Sequence, residues 1–371
     1  MGKNSHPLLS TTYTLRFTPK KDTPHPVLEV ALGLLRLVHQ DPAKRTVLND
    51  IARLYHEGSP GAPKGIVPLV SVYQLMRQRG VRTSSVSDFI GFGGLLHVLG
   101  LWRLAKGAYL YDPDLAREVA ATPLTRLPTE LLFRLPEPAP LILLPEGLPS
   151  WPEILGFHPL LDWDPGSSTY PPHFEARFLL YTLKEHLILP LDLDAEDLME
   201  AVEKTLSRSW VSSVSDEDRL AKVYGSILRE ALSLTLYLCQ EAPDLGGLSP
   251  RPPAPLVKVK GGEKKVFPPD TPLVLPTGWR WGKAIRLARE QKKVLPSSPT
   301  GRRVIPHIRR AHWHLYWAGA GSRKDPAKAR PVLKWIPAIF VNRDLLLEAG
   351  LTEDDLPAVA RKVEAHEDGD L

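Results

Sequence analysis

The first hundred residues carry apolar side chains at helical spacing in four successive segments. The first of these stripes consists of Val27, Val30, Ala31, Leu34, Leu35 and Val38. Stripes that recur every three or four residues predict amphipathic helices, which we place at 26–40, 43–56, 67–79 and 86–99. Asp41-Pro42 separates the first two helices, because proline does not continue a helix. The pattern therefore predicts a helical N-terminal domain over residues 1–100.

Beyond residue 100 the apolar period shortens to that of β-strands. Residues 102–112 predict a β-hairpin around Lys106-Gly107, and further strands are predicted at 141–144, 158–163, 174–182 and 186–191. Helical spacing returns at 113–121, 195–207 and 216–240. Residues 101–245 are therefore predicted to form a mixed α+β middle domain.

Residues 246–255 are rich in proline and glycine and are predicted to form a linker. After it we expect a hairpin over Gly261-Gly262, a helix over 279–293, and two strands, 304–317 and 332–342, joined by a basic loop. The whole pattern predicts an α+β protein. Its basic, aromatic-rich C-terminal module spans 256–345, and a C-terminal helix with an acidic tail spans 346–371.

Charge is distributed unevenly along the chain. Residues 251–343 contain 21 Lys and Arg against 4 Asp and Glu, a net charge of +17. The whole chain has 47 basic and 42 acidic residues, so the remainder has 26 basic and 38 acidic residues, a net charge of −12. A basic segment of this kind commonly meets an anionic partner, and nucleic acid is the most frequent case.

The predicted helix over 279–293 places its cations on one face. Arg280, Lys283, Arg286 and Arg289 follow one another at intervals of three residues, close to the helical turn. Cations at this spacing can contact successive phosphates, which positions a nucleic acid without reading its sequence. We therefore expect these four side chains to bind RNA.

The string at 307–317, His-Ile-Arg-Arg-Ala-His-Trp-His-Leu-Tyr-Trp, is the densest group of candidate functional side chains. On a single strand, successive side chains point to opposite faces. One face would then carry Ile308, Arg310, His312, His314 and Tyr316, and the other Arg309, Ala311, Trp313, Leu315 and Trp317. Aromatic rings beside cations are typical of single-stranded nucleic acid binding, where bases stack and phosphates pair.

Two other interpretations of this string stay open: a purely structural strand, and a catalytic or metal site. As a surface for nucleic acid or peptide, the candidate residues are His307, Arg309, Arg310, His312, Trp313, His314, Tyr316, Trp317, Lys334, Trp335 and Asn342. Zinc sites need three or four ligands, and the nearest acidic residues, Asp325 and Asp344, lie beyond the strand. We therefore expect no catalytic residue, no metal site and no cofactor.

The sequence offers neither the serine motif of the α/β-hydrolases nor a plausible cysteine nucleophile. There is no Gly-x-Ser-x-Gly string, and the single cysteine, Cys239, lies near the end of an apolar helix, which predicts a buried structural thiol. Two alternatives still compete with a non-enzymatic binding protein. One is a metal-dependent nuclease that uses His312 and His314 with Arg309 or Arg310. The other is a DNA-binding plasmid or phage regulator whose N-terminal helices read duplex DNA.

Composition indicates the cellular setting. One cysteine excludes a disulfide framework and suits the cytoplasm. No apolar run reaches 18 residues, so we expect neither a transmembrane helix nor a membrane partner. Residues that are labile at high temperature are scarce, with three Met and three Asn, which favours a thermophilic source.

Several strings together point to a known family. They include Lys-Gly-Ala-Tyr-Leu-Tyr-Asp-Pro at 106–113, Gly-Trp-Arg-Trp-Gly-Lys-Ala-Ile-Arg at 278–286, the histidine- and tryptophan-rich string within 306–317, and Leu-Lys-Trp-Ile-Pro-Ala-Ile-Phe-Val-Asn at 333–342. In this order, over roughly residues 100–345, the chain resembles a family of phage- and plasmid-borne anti-CRISPR proteins, the second class that acts on type V-A systems.

The resemblance implies an unusual mode of action. In that family, an anti-CRISPR protein recognises the nascent N-terminal part of the effector nuclease during translation and brings down its messenger RNA. The resemblance therefore implies a non-enzymatic anti-CRISPR-like binding protein of mobile-element origin. Its expected partners are RNA, as messenger or in association with the ribosome, and a nascent target polypeptide, for which a CRISPR effector nuclease is the expected identity.

Overall fold

The computed structural model describes residues 24–124, 129–195, 197–208, 217–240, 242–246, 252, 254–260, 263–294, 307–309, 311–318, 330–336 and 339–341. The predicted C-terminal helix and acidic tail at 346–371 lie outside the described residues, as do the basic loop at 319–329 and most of the predicted linker. Within the described residues, no helix combines the length and the apolar character needed to cross a lipid bilayer.

The helices begin where the sequence places capping residues. Asp41 accepts a hydrogen bond from the Ala43 backbone N–H (2.9 Å), and Ser85 accepts one from that of Asp88 (3.0 Å). The described helices are α1 (Pro26–Gln40), α2 (Pro42–Glu57), α3 (Leu69–Gln78), α4 (Val86–Trp102), α5 (Pro113–Ala120), α6 (Thr129–Leu132), α7 (Leu198–Arg208), α8 (Glu217–Leu238) and α9 (Trp279–Val294). The helices predicted from apolar spacing are confirmed, with ends that shift by a few residues.

The central element is a mixed sheet. The described strands are β1 (Gly107–Tyr111), β2 (Leu141–Leu143), β3 (Gly156–Asp164), β4 (His173–Tyr181), β5 (His186–Asp192), β6 (Leu256–Lys260), β7 (Glu263–Phe267), β8 (Leu273–Thr277), β9 (His307–Arg309), β10 (His312–Ala318), β11 (Arg330–Ile336) and β12 (Ile339–Val341). Six of them form the sheet in the order β5-β4-β3-β2-β1-β8. β1 is parallel to both β2 and β8, whereas β2 to β5 are antiparallel. The predicted α+β class is confirmed.

Helices cover both faces of this sheet. On one face the helices α1 to α4 share a core with strand residues such as Leu160 and Leu179. On the other face α5 to α8 share a core with Phe157 and Phe178. Neighbouring residues of β4, Phe178 and Leu179, therefore belong to different cores, as the alternation of side chains along a strand requires.

The N-terminal helices are not separated from the strands. The predicted boundary at residue 100 lies inside α4, and the core of these helices includes Leu141 and Leu160 of the sheet. The C-terminal module is joined in the same way, because its strand β8 forms an edge of the central sheet beside β1. An amphipathic helical layer buries its apolar stripe only against another layer.

The β-hairpin predicted for residues 102–112 is wrong. α4 continues to Trp102, whose indole N–H donates to the Gly107 carbonyl (2.9 Å). The chain reverses at Lys106, which adopts a left-handed backbone conformation with φ of 51°. β1 then pairs in parallel with β2 and β8, two strands that are distant in sequence, so its alternation did not mark a local hairpin.

Three small antiparallel ribbons complete the described C-terminal part. The predicted hairpin of β6 and β7 is confirmed. The predicted strand 304–317 is wrong as a single element, because it divides into β9, which pairs with β12, and β10, which pairs with β11. The strand predicted at 332–342 divides correspondingly into β11 and β12.

His158 of β3 lies fully buried between the sheet and α4. Its Nδ1–H donates to the Ala139 carbonyl (3.0 Å), and its ring lies 5.2 Å from that of Trp102. Desolvation lowers the pKa of His158 to about 3, so the native protein holds this imidazole neutral. Below the ordinary pKa of about 6.5, the unfolded chain binds a proton here that the native chain does not, which favours unfolding.

We therefore expect His158→Asn to flatten the acid dependence of stability. Asparagine can place its amide N–H near the position of Nδ1 and does not titrate. Between pH 6 and pH 4, wild type should lose about 1.4 kcal/mol per pH unit more of its free energy of unfolding than the variant does. Urea unfolding across this range measures the difference, and the offset at pH 7.5 corrects for packing. Parallel curves for the two proteins would contradict a neutral buried His158.

Candidate binding surface of the basic C-terminal segment

The cationic helix α9 docks against α5. Asp112 caps α5 by accepting the Asp114 backbone N–H (2.9 Å), so carboxylates gather at the first turn of α5, where the helix dipole favours them. Gly282 of α9 packs directly on this cap, since an added Cβ would lie 1.9 Å from Asp112 Oδ1. Only glycine permits this approach.

Two of the predicted phosphate contacts are engaged at this interface. Arg286 Nη1 donates to both carboxylate oxygens of Asp112 (3.0 and 2.9 Å) and to Asp114 Oδ2 (2.8 Å). Arg289 donates to Asp114 and, through Nη2, to Glu118 Oε1 (2.7 Å). In this structure Arg286 and Arg289 hold α9 on α5, and a phosphate would have to replace these carboxylates.

The start of α9 presents a different arrangement. The Arg280 backbone N–H donates to Asp244 Oδ2 (3.0 Å), and its Nε lies 3.4 Å from Asp244 Oδ1, a longer contact than those of Arg286 and Arg289. The Arg280 guanidinium lies 5.4 Å from the centre of the exposed Trp279 ring. Trp279 is 45% exposed. Lys283, one turn further along, is half-buried. Of the four predicted cations, Arg280 therefore combines exposure with an exposed aromatic neighbour.

The β10–β11 ribbon has one buried and one exposed face. Trp313 lies opposite Trp335, and both indoles pack against the core between α5 and α8. Trp335 is 4% exposed, and its Nε1–H donates to Thr122 Oγ1 (3.2 Å). His312 and His314 are exposed, with ring centres 6.2 Å apart. The predicted separation of faces is confirmed for residues 311–314.

This burial corrects two members of the candidate set. Trp335 was expected to contact a ligand, but its ring contacts Tyr237 and Trp281 edge-on, with centre distances of 5.6 and 6.0 Å. Trp313 is half-buried against the same core. Both rings therefore fix the ribbon on the body, because large aromatic side chains gain most from burial.

The remaining candidates are placed by their strands alone. His307 and Arg309 lie in β9, opposite Val341 and Ile339 of β12. Tyr316 and Trp317 lie in β10, and Lys334 lies in β11 opposite His314. Arg310 and Asn342 lie outside the described residues. Since β9 and β10 are separate strands with separate partners, the predicted row from Ile308 to Tyr316 is not one continuous face.

An ionic cluster on the central sheet was not predicted from the sequence. His173, Glu175 and Arg177 alternate along one face of β4, between Asp162 of β3 and Asp192 of β5. Arg177 forms ion pairs with Asp162 and Glu175, and Asp162 Oδ1 accepts the Leu69 N–H at the start of α3 (2.9 Å). The signal was the alternation of polar and apolar residues at 173–178.

Asp164, His173 and Glu175 are the described group with the spacing for a metal ion, since their donor atoms lie within 4.8 Å of one another. His173 Nε2 lies 3.5 Å from Glu175 Oε1, and its hydrogen bond to this carboxylate raises the pKa of His173. Its Nδ1–H donates to the Pro171 carbonyl (3.2 Å). Asp164 Oδ1 accepts the Gly166 backbone N–H (2.7 Å), so each of the three groups already has a partner. This arrangement favours a structural ion-pair network.

The single thiol is also structural. Cys239 is 2% exposed, and burial raises its pKa well above the ordinary range. The thiolate, which is the nucleophilic form, is therefore not available at neutral pH. The prediction of a buried structural Cys239 is confirmed.

The docking of α9 predicts a severe effect of one methyl group. Gly282→Ala should displace the Asp112 carboxylate and lower the free energy of unfolding by about 1–3 kcal/mol, because overpacking forces a fixed neighbour to move. Gly225→Ala in α8 is the matched control. There the nearest atom is the Met199 sulfur at 3.3 Å, at the flexible end of a side chain, so stability should stay equal or rise. Equal losses in urea unfolding of both variants would refute the close approach.

Comparison with known proteins identifies the family. The profile of the AcrVA2-like family, the anti-CRISPR type V subtype A2 family, matches residues 109–343. A search of curated proteins finds no match. The crystal structure of AcrVA2 is similar in fold, with a TM-score of 0.57 and 18% sequence identity, over 84% of this chain and 98% of that chain. Because the matched profile covers well over half of the 371 residues, the chain belongs to the anti-CRISPR type V subtype A2 family.

Proposed function

We propose that this protein is a non-enzymatic anti-CRISPR factor that binds the nascent polypeptide of a type V-A effector nuclease together with RNA, and thereby lowers expression of the nuclease during translation. Membership of the anti-CRISPR family supports the target class. The charge distribution supports an anionic partner, because the segment 251–343 carries a net charge of +17.

Two exposed pairs of an aromatic ring and a cation carry the RNA part of the proposal. Arg280 lies over Trp279, and Lys258 Nζ lies 5.7 Å from the centre of the Phe267 ring, which is 47% exposed. On the β6–β7 hairpin, Lys258 stands opposite Lys265, and both lysines are exposed. Rings that stack on bases beside cations that pair with phosphates are the usual means of holding a single strand.

A co-expression experiment tests the mode of action. The protein is produced with a type V-A nuclease gene, and nuclease protein and messenger RNA are both measured. In one control gene the opening codons are recoded synonymously, which alters the RNA and keeps the peptide. In the other, a pair of compensating frameshifts alters the peptide and nearly keeps the RNA.

We expect protein and messenger to fall for the native and the synonymous genes and to persist for the frameshifted gene, because the nascent peptide is the recognised feature. An equal fall for the frameshifted gene would assign recognition to RNA alone. Unchanged messenger, with inhibition of the purified finished nuclease, would refute action during translation.

Measurements of RNA binding by two variants should distinguish a phosphate contact from base stacking. Arg280→Gln should weaken binding of a single-stranded RNA at all sequences and flatten the slope of log affinity against log salt by about 0.7, the value for one phosphate contact on a single strand. Trp279→Ala should cost about 1–3 kcal/mol of binding and leave that slope unchanged, because a stacked base carries no counterion release. Fluorescence anisotropy of a labelled RNA at several salt concentrations gives both quantities.

Arg289→Gln is the comparison within the same helix. Its guanidinium is committed to Asp114 and Glu118, so the variant should lower the melting temperature and leave the salt slope near that of wild type. Arg53→Gln on α2, whose partners are Asp50 and Glu57, controls for loss of a surface cation elsewhere. A flattened slope for Arg289→Gln with none for Arg280→Gln would place the RNA on the other end of α9.

A further inference from the structure

A cleft of about 580 Å³ opens on the side of the molecule formed by α1. The second half of α1 contributes Leu35, Arg36 and His39 to its wall, the turn before β1 contributes Lys106, and the segment before β8 contributes Asp270 and Pro272. Its volume lies within the range of pockets that take small molecules. The lining of the cleft is mainly apolar, and Arg36, His39 and Lys106 contribute nitrogen-bearing groups to it.

A buried arginine stands behind this cleft. Arg103 is 4% exposed, and it hydrogen-bonds to Asn49 Oδ1 (2.9 Å) and to His39 Nε2 (3.3 Å) through its two terminal nitrogens. Its Nε has no acceptor and no carboxylate pairs with it among the described residues. Desolvation accordingly lowers the pKa of Arg103 to about 10. A buried cation that lacks a counter-charge is costly, and proteins usually pair it.

His39 of the cleft wall is in direct contact with Arg103. Its Nδ1–H donates to the Leu35 carbonyl (2.8 Å), which leaves Nε2 to accept from Arg103 and keeps the ring neutral. Desolvation lowers the pKa of His39, and the nearby Arg103, Lys106 and Arg45 lower it further. Three cations therefore act on the His39 ring, and Arg103 is in direct contact with it.

Lys106 adds a second cation at the rim. Its Nζ donates to the Asp270 carbonyl (2.9 Å), and desolvation lowers the pKa of Lys106, with Asp270 raising it and Arg103 lowering it again. Arg36 pairs with Glu29 at 3.5 Å, and Asp270 supplies the carboxylate of the cleft wall. Counting these groups, Arg36, Arg103 and Lys106 exceed Glu29 and Asp270 by one positive charge, and protonation of His39 would add another.

We infer that this cleft binds a phosphate-bearing small molecule of about the size of a nucleoside monophosphate. A phosphate monoester matches the surplus charge and offers several acceptors to the guanidinium and ammonium groups. The apolar side chains of Leu32, Leu35 and Pro272 lie where the organic part of such a ligand would rest. The inference does not depend on the proposal for RNA on α9 and the β6–β7 hairpin.

Calorimetric titration of the full chain at constant ionic strength tests this inference with three probes: inorganic phosphate, adenosine 5′-monophosphate and adenosine. We expect the monophosphate to bind most tightly, phosphate alone to bind more weakly, and adenosine to bind at least tenfold more weakly than its monophosphate. Binding should also raise the pKa of the His39 imidazole, which NMR titration measures directly.

Lys106→Gly is the decisive variant. The residue has a φ of 51°, in the left-handed region that glycine adopts without strain. This relief opposes the larger unfolded-state entropy of glycine, so the variant should fold with a melting temperature near that of wild type. It removes one cation of the cleft and should lower the affinity for the monophosphate at least tenfold. Arg53→Gln on α2, outside the cleft wall, should leave the affinity unchanged.

Three results would overturn the inference. One is the absence of heat with both phosphate and the monophosphate at millimolar concentration. Another is equal affinity for adenosine and its monophosphate, which would place recognition on the apolar wall. The third is unchanged monophosphate affinity in Lys106→Gly when its melting temperature shows an intact fold.

Discussion

The parallel pairing of β1 with β8 determines how the chain is organised. Tyr111, the last residue of β1, lies opposite Thr277, the last residue of β8, and the Asp112 N–H donates to the Thr277 carbonyl (2.9 Å). Because the two strands run in the same direction, the helices that follow them, α5 and α9, start side by side. The carboxylates at the start of α5 therefore meet the arginines of α9, and the ion pairs of Arg286 and Arg289 follow from the strand pairing.

Local features of the fold could be predicted from the sequence, and long-range partners could not. The helices α1 to α4 were predicted because their apolar stripes and caps are contained in each segment. β1 was mistaken for part of a hairpin because its partners β2 and β8 begin about 30 and 165 residues later. A short strand that is buried on both faces gives no sign of the direction of its neighbours.

The candidate site shows the same limit. The spacing of Arg280, Lys283, Arg286 and Arg289 correctly placed cations along α9. The carboxylate partners of Arg286 and Arg289, however, lie more than 160 residues away, at the start of α5. The alternation at 311–314 correctly assigned the exposed His312 and the inward Trp313, whereas the burial of Trp335 depends on Thr122 and Tyr237. The net charge of +17 consequently overstates the cationic surface, since part of it is neutralised within the molecule.

The edge position of β8 also has a consequence for synthesis of the protein. β8 ends at residue 277 of 371, so until about three quarters of the chain has left the ribosome, β1 presents an unpaired edge of backbone N–H and carbonyl groups. Such edges recruit other strands, and shortened chains that end before β8 would expose this one permanently. Premature termination therefore yields a fragment with its own tendency to aggregate. The basic segment contributes β8, the strand that covers the edge of β1 in the central sheet.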